Sequence, residues 1–200
     1  MAVPLTDDQV REVRARILRI AEQRLAADGL AGLSLRTIAS EMGWTAASLY
    51  RYFSNKGELV AGARAAAYTR FTARIDAAYA SSEDLWDRSR AIGDAYVAFA
   101  RDEPDAYKLI FAYEQPDTEK TGELRSAEAA SRRTMISYAE DMVEAGLLEG
   151  DPVVLGHVYW ASLHGLLTLE MAGKLSTSPD FDLVRHASNR LITRGAQPRR

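Results

Sequence analysis

The side chains best suited to chemistry on another molecule lie in residues 45–56, a segment that contains no Asp or Glu. If this segment begins as a helix, an advance of 100° per residue puts Leu49 and Phe53 on its buried side. The opposite side then carries Ala47, Ser48, Tyr50 and Arg51. A solvated helix surface normally carries Glu and Lys, whereas small residues allow a close approach to the major groove, and Tyr and Arg donate to phosphates or bases. We interpret this side as a DNA-contacting face rather than a solvated one.

A helix-turn-helix over residues 35–54 would position that face. The two helices must cross closely, and Ala39 supplies a small side chain at the crossing. The turn needs a residue that tolerates positive φ, and Gly43 follows four residues later. The flanking apolar residues needed for a small core are also present, namely Ile38, Met42, Trp44 and Leu49. The alternative, an ordinary helical hairpin, requires none of these features in register.

Apolar spacing predicts an all-α fold of about nine helices, with an N-terminal three-helix head and a C-terminal helical body. The first helix covers residues 10–25, and Ser34 and Thr45 are N-caps of the next two, the second of which reaches about Phe53. The remaining predicted helices cover residues 58–79, 81–103, 105–112, 123–145, 151–174 and 180–194. Pro179 and Asp180 are expected to open the last of them.

The composition supports a basic head on an acidic body. The 200 residues carry a net charge of -3 and no Cys, which excludes disulfides and cysteine chemistry. Residues 1–74 contain 11 Lys and Arg against 7 Asp and Glu, and the remainder contains 14 against 21. Local positive charge favours nucleic-acid binding, although a chance fluctuation would give the same imbalance. Residues 153–169 lack charge but are too short and too interrupted for a membrane span.

The segment from Leu33 through the turn to Leu49-Tyr50-Arg51-Tyr52-Phe53 and Lys56 resembles the signature of the TetR family of transcription regulators. The resemblance implies a DNA-binding head at residues 1–57 and a regulatory and dimerisation domain at 58–200. It also implies a homodimeric repressor on palindromic operator DNA. The DNA contacts that the resemblance implies are Ser34, Arg36, Thr45, Ala46, Ala47, Ser48, Tyr50, Tyr52 and Lys56. The helical projection adds Arg51 to this set. Ala46 and Ala47 lie at positions that resemble base-reading positions of the family, but they depart from that role because their side chains cannot hydrogen-bond to bases.

The C-terminal half resembles one subfamily in particular. Trp160, His164 and Gly165 match the motif of the WHG-type (Trp-His-Gly) C-terminal domain, and residues 104–111 also resemble that subfamily. The resemblance implies that helices 151–174 and 180–194 form the dimer interface. Glycines inside helices are costly, so Gly156, Gly165 and Gly173 are expected to allow close helix approach.

An effector pocket among the central helices is a further implication of the resemblance. Its mostly aromatic and Met lining would suit a small apolar or aromatic molecule, whose binding would release the protein from DNA. The candidate lining residues are Trp86, Tyr96, Phe99, Tyr107, Phe111, Met135, Tyr138, Met142, Trp160 and His164. At helical spacing, such residues more often form a core than a pocket.

Two other classes of protein stay open from the sequence. One is a helical enzyme or carrier for a small apolar molecule, and the other is a helical interaction module. No nucleophile motif, metal-ligand spacing or phosphate loop is present, so we expect no enzyme activity, no metal and no cofactor. His157 and His164 are seven residues apart, about 10.5 Å along a helix, which is too far to share one metal ion. We expect a cytoplasmic, non-membrane protein.

Overall fold

The computed structural model describes residues 6–111, 113, 115–175 and 180–198, and all regular structure within those ranges is helical. A 3-10 helix (Asp117–Glu119) lies between α6 and α7. The α-helices are α1 (Asp7–Gly32), α2 (Leu35–Glu41), α3 (Ala46–Leu49), α4 (Lys56–Tyr79), α5 (Leu85–Asp102), α6 (Pro104–Phe111), α7 (Gly122–Glu144), α8 (Pro152–Met171) and α9 (Phe181–Ala196). The all-α prediction is confirmed. The predicted role of Pro179 lies outside the described residues.

Local capping explains most helix boundaries. The Ser34 hydroxyl accepts from the backbone N–H of Thr37, and the Thr45 hydroxyl accepts from that of Ser48, so both predicted N-caps are confirmed. The Asp151 carboxylate caps α8, whose first residue is Pro152. Gly29, at φ +64°, interrupts the helical dihedrals of α1 near its end.

Several boundaries differ from the prediction. Helix α1 runs from Asp7 to Gly32 rather than over 10–25. Helix α5 begins at Leu85 rather than at 81, because the Asp84 carboxylate accepts from the backbone N–H of Asp87 at 2.8 Å. The Ser81 hydroxyl instead donates back to the carbonyl of Ala78. Helix α8 ends at Met171 rather than at 174, because Gly173 adopts a φ of +64° that a continuing helix does not allow.

The three glycines predicted to allow close helix packing behave differently from one another. A Cβ on Gly156 would lie 3.3 Å from the carbonyl oxygen of Met135, so this glycine does permit a close approach of α8 to α7. A Cβ on Gly165 would meet nothing within 4 Å, and Gly173 lies beyond the end of α8. A close approach within the chain is therefore confirmed for Gly156, and Gly173 is not inside a helix as predicted. An approach of a second copy at Gly165 stays a prediction.

The chain packs as two compact units. The first comprises Met1–Phe71 and Arg101–Ala130, and the second comprises Thr72–Ala100 and Ser131–Arg200. The core of the first unit is made by buried side chains that include Ile17, Ile38, Leu49, Phe53 and Leu59. In the second unit, Met142, Leu148 and Ala196 form a buried cluster against which Trp86 and Tyr159 pack. The predicted functional division after residue 57 stays a prediction.

The apolar segment at 153–169 lies within α8. In the part of the chain that the structure describes, no helix combines the length and apolar content that crossing a bilayer requires.

Candidate nucleic-acid interface and ligand cavity

The turn between α2 and α3 has the geometry that the helix-turn-helix requires. Ala39 is buried, and its carbonyl accepts from the backbone N–H of Trp44 at 2.7 Å, which closes the turn. Gly43, between them, has a φ of +71°, in the left-handed region that favours glycine. Leu49 and Phe53 are fully buried in the core of the first unit. These residues fix which side of α3 faces outward.

The outward side of α3 and of the turn after it is open. Tyr50 is 54% exposed, and Ala47 and Arg51 are also exposed. Ala46 and Ser48 are half-buried, while Thr45 is exposed at the start of the helix. Because residues 45–56 contain no carboxylate, this surface, which we call the α3 face, presents small and donor side chains to solvent.

Helix α3 is shorter than predicted, since it ends at Leu49 and not near Phe53. The backbone N–H of Tyr52 bonds to the carbonyl of Leu49, which is the tighter spacing of a turn. The Tyr52 carbonyl accepts from the Arg14 guanidinium of α1 at 2.5 Å. Arg14 also lies over the Phe53 ring, 4.3 Å from its centroid. This external donor holds the chain as it bends to bury Phe53.

Several predicted contact residues also have structural partners. The hydroxyls of Thr45 and Ser48 lie 2.9 Å apart and share one hydrogen bond, and the Ser34 hydroxyl caps α2. Tyr52 stacks on Trp44 with the ring centroids 6.0 Å apart. Arg36 is exposed in the first turn of α2. The structure therefore brings these residues onto one small head, but whether each contacts DNA stays a prediction.

The start of α4 is anchored from three sides. The Asn55 side chain accepts from the backbone N–H of Glu58 at 2.8 Å, and the Glu58 carboxylate accepts from that of Ser54 at 2.7 Å. The Lys56 ammonium donates to the Leu30 carbonyl. The buried Gln115 side chain donates to the Gly57 carbonyl at 3.2 Å. Gln115 lies between the predicted helices 105–112 and 123–145, and no local pattern in the sequence reveals this long-range bond.

The second unit contains a cavity of about 430 Å³ between α5, α7, α8 and α9. Five of the predicted pocket residues line it, namely Trp86, Tyr96, Met135, Tyr138 and Trp160. Sequence reasoning missed the rest of the lining. Those missed residues are Ser89, Arg90, Ile92, Gly93, Tyr159, Leu163, Asn189, Arg190, Thr193, Arg194 and Gln197.

The other five predicted pocket residues do not line this cavity. Phe99 and Met142 are buried in the core of the second unit. Tyr107 and Phe111 belong to the first unit, where the Phe111 ring packs edge-on against Phe71 at 5.6 Å. His164 lies behind the cavity wall, and its Nδ1 is 3.5 Å from the Tyr96 hydroxyl. Helical spacing alone did not distinguish residues that face a void from those that face neighbouring side chains.

One wall of the cavity is a hydrogen-bonded aromatic group. The indole Nε1 of Trp160 donates to the Tyr96 hydroxyl at 2.9 Å, and the Tyr159 hydroxyl pairs with that of Thr193 at 2.7 Å. Burial raises the pKa of Tyr138 and of Tyr159, so both phenols stay neutral. Burial also lowers the pKa of His164, which favours its neutral form.

A small buried residue at the helix crossing, a left-handed glycine in the turn and an exposed face on the second helix are the geometry of the helix-turn-helix class of DNA-binding proteins. The family models agree with this geometry. Residues 17–63 match the model described as bacterial regulatory proteins, tetR family, and residues 89–192 match the tetracyclin repressor-like, C-terminal domain. The chain belongs to the TetR family of transcription regulators. Its WHG subtype stays a prediction.

Two individual relatives are also named as HTH-type transcription regulators. The HTH-type transcriptional regulator Rv1816 of Mycobacterium tuberculosis is 30% identical over 146 residues, which cover 72% of this chain and 61% of that protein. The chain thus matches about three-fifths of the length of that relative. The HTH-type transcriptional repressor DrrR1 of Streptomyces coeruleorubidus is 49% identical over 45 residues, or 22% of this chain and 17% of that protein.

A solved structure of a protein of unknown function from Rhodococcus sp. RHA1 superposes with a TM-score of 0.79 at 28% identity. It covers 92% of this chain and 95% of its own. The two proteins therefore share one fold over nearly the whole length of both chains.

Proposed function

We propose that the protein is a transcriptional repressor that inserts the α3 face into the major groove of operator DNA. The observation that carries this proposal is the exposure of Ala47, Tyr50 and Arg51 opposite the fully buried Leu49 and Phe53. A face without carboxylates meets the phosphates without repulsion, and its small side chains let the backbone approach the bases. The repressor assignment draws on the name of the DrrR1 relative.

The side chains on this face have different roles in the proposal. Arg51 pairs with a guanine edge or a phosphate, and Tyr50 and Tyr52 donate to phosphates. Ala46 and Ala47 supply methyl contacts, so part of the specificity comes from DNA shape. Ser34 and Arg36, at the start of α2, and Thr45 and Ser48, at the start of α3, add polar contacts at the groove edge. Lys56 holds a phosphate near the start of α4 with ammonium hydrogens that Leu30 does not use.

Dimerisation through α8 and α9 supports operator binding in the same proposal. These two helices expose large apolar side chains, among them Val154 at 56%, Leu183 at 61% and Leu191 at 70%. Burying such a surface against a second copy removes it from water. Two heads that read successive major grooves must be about 34–36 Å apart.

Release from DNA completes the proposal. A ligand in the cavity of the second unit would favour a dimer state in which the two heads are wrongly spaced, which couples the two sites. Helices α4 and α7 both begin in the first unit and end in the second, and α4 follows directly after the predicted DNA-binding head. A small pivot of α4 is sufficient to change the spacing of the heads.

The test is a titration of the protein with duplex DNA from the region upstream of its own gene, at two salt concentrations. We expect tight binding to a palindromic site and a steep loss of affinity with salt. Replacing Tyr50→Ala and Arg51→Ala together should abolish binding and leave the dimer intact. Arg132→Ala, at an exposed position on α7, is the matched control and should bind normally. Weak, sequence-independent binding that these changes do not alter would overturn the proposal.

A further inference from the structure

The lining of the cavity in the second unit includes charged residues, which its aromatic residues alone did not predict. Arg90 of α5 and Arg190 and Arg194 of α9 all line it. Among the lining residues that the structure describes, none is an Asp or a Glu. The Asn189 and Gln197 side chains add amide donors beside the arginines. The lining therefore carries three arginines and no carboxylate of its own.

Two of these arginines, both of them exposed, have no intramolecular partner within the described ranges. Arg90 forms an ion pair with Asp87, so its charge is already balanced. For Arg190 and Arg194, the described part of the chain provides neither an ion pair nor a hydrogen bond, although several other arginines are paired. The two residues are one helical turn apart on α9, a spacing that puts both guanidinium groups on one face.

A second part of the lining is apolar and uncharged. Trp86, Ile92, Leu163 and Trp160 contribute side chains to it. Tyr138 and Tyr159 remain neutral because burial raises the pKa of each. A molecule that matches both parts of the lining needs an apolar body to pack against the aromatic side chains and a negative group to pair with the arginines.

We propose that the cavity binds a small amphipathic carboxylate, with its aromatic or aliphatic body against Trp86 and Trp160 and its carboxylate on Arg190 and Arg194. A carboxylate matches the planar donors of a guanidinium group, and a cavity of about 430 Å³ limits the body to a compact one. This inference rests on the proposed function in that it names the class of effector. It adds a negative group to the small apolar or aromatic ligand that the sequence analysis expected.

The experiment compares ligands that share a body and differ only in the head group. The full-length protein is titrated by calorimetry with naphthalene-2-acetate and with 2-(2-naphthyl)ethanol, and then with decanoate and with decanol. In at least one pair we expect the carboxylate to bind about tenfold or more tightly than the alcohol, because two charge-assisted hydrogen bonds are added. Equal affinities within each pair, or no binding of any probe, would overturn the proposal.

Variants locate the anion site. Arg190→Gln combined with Arg194→Gln should remove the advantage of the carboxylate and leave the affinity for the alcohol unchanged. Arg132→Gln combined with Arg133→Gln, at exposed positions on α7, is the matched control and should keep that advantage. A carboxylate advantage that survives the α9 double substitution would place the anion elsewhere and contradict the assignment.

The oligomeric state and DNA binding of each variant are measured separately. Dissociation of the α9 double variant, together with an unchanged carboxylate advantage, would show that these arginines serve the dimer and not a ligand. Since the calorimetry contains no DNA, its failure overturns the anion site alone. Carboxylate binding without any operator binding would instead overturn the proposed function and leave the anion site standing.

Discussion

The Arg14 guanidinium donates to the backbone carbonyl of Tyr52 at 2.5 Å and so connects α1 to the turn that follows α3. The same group covers the ring of Phe53. Arg14 thus supports the α3 face from behind without lying on it.

We expect Arg14→Met to lower the free energy of unfolding by roughly 1.5–3 kcal/mol, the range for a hydrogen bond to a charged group. It should also weaken operator binding, because the turn that carries Tyr50 and Arg51 loses its external donor. Urea denaturation and a DNA titration measure the two effects. Arg16→Met, at an exposed position on the same helix, is the control. An Arg14→Met protein with unchanged stability and DNA affinity would show that the bond is dispensable.

Alanine substitutions at Gly43 and Gly165 test the backbone conformation alone, because a Cβ would have no neighbour within 4 Å at either position and would cause no steric clash. At Gly43 the backbone φ is +71°, so Gly43→Ala should destabilise the protein by about 1–2 kcal/mol. Gly165 lies within α8, so Gly165→Ala should stabilise it by up to about 1 kcal/mol. Thermal unfolding checks both changes. The two substitutions should change the free energy of unfolding in opposite directions, and a stabilising Gly43→Ala would contradict the turn geometry.

The Tyr96 hydroxyl is expected to stabilise the aromatic wall of the cavity. Tyr96→Phe leaves the indole N–H of Trp160 without this acceptor, and it should cost about 1–3 kcal/mol of unfolding free energy. Chemical denaturation followed by circular dichroism measures the loss. Tyr50→Phe, which removes an exposed hydroxyl from α3, should leave stability within about 0.5 kcal/mol of the parent. Equal effects of the two changes would argue against a structural role for the buried bond.

His164 is expected to make stability depend on pH. Burial lowers its pKa from the ordinary value of 6.5, so the unfolded chain takes up a proton at this position at a higher pH than the folded protein does. The free energy of unfolding therefore decreases as the pH falls from about 6.5 to the pKa of His164 in the folded protein. Above about pH 6.5, His164 is neutral in both states and makes no pH-dependent contribution. Urea unfolding at several pH values measures this slope. His164→Gln should flatten it, whereas His186→Gln, at an exposed position on α9, should retain it.

The exposed leucines of α9 test the proposed dimer. Leu191→Glu combined with Leu183→Glu should produce a folded monomer, because burying two carboxylates in an apolar interface is costly. Analytical ultracentrifugation gives the mass, and circular dichroism checks the fold. Leu30→Glu, which introduces a carboxylate at an exposed leucine of α1, should leave the mass unchanged. An intact dimer of the α9 variant would require a different interface.

The sequence by itself determined the features that depend on residues close together in the chain. Ser34, Thr45 and Asp151 cap helices through bonds to backbone groups two or three residues away, and Gly43 allows a dihedral that belongs to its own backbone. The burial of Leu49 and Phe53 was also predictable, because a spacing of four residues puts both on one side, and the backbone N–H of Phe53 bonds to the Leu49 carbonyl even though α3 ends there.

Only the tertiary structure decided which side chains form the cavity and what charge it carries. Tyr96 and Phe99 are three residues apart on α5, yet one lines the cavity and the other is buried in the core. Arg194 reaches the same cavity as Trp86 from a helix more than a hundred positions away. Whether a side chain faces a void or a neighbour depends on how separate helices pack, and helical spacing within one helix carries no information about that packing.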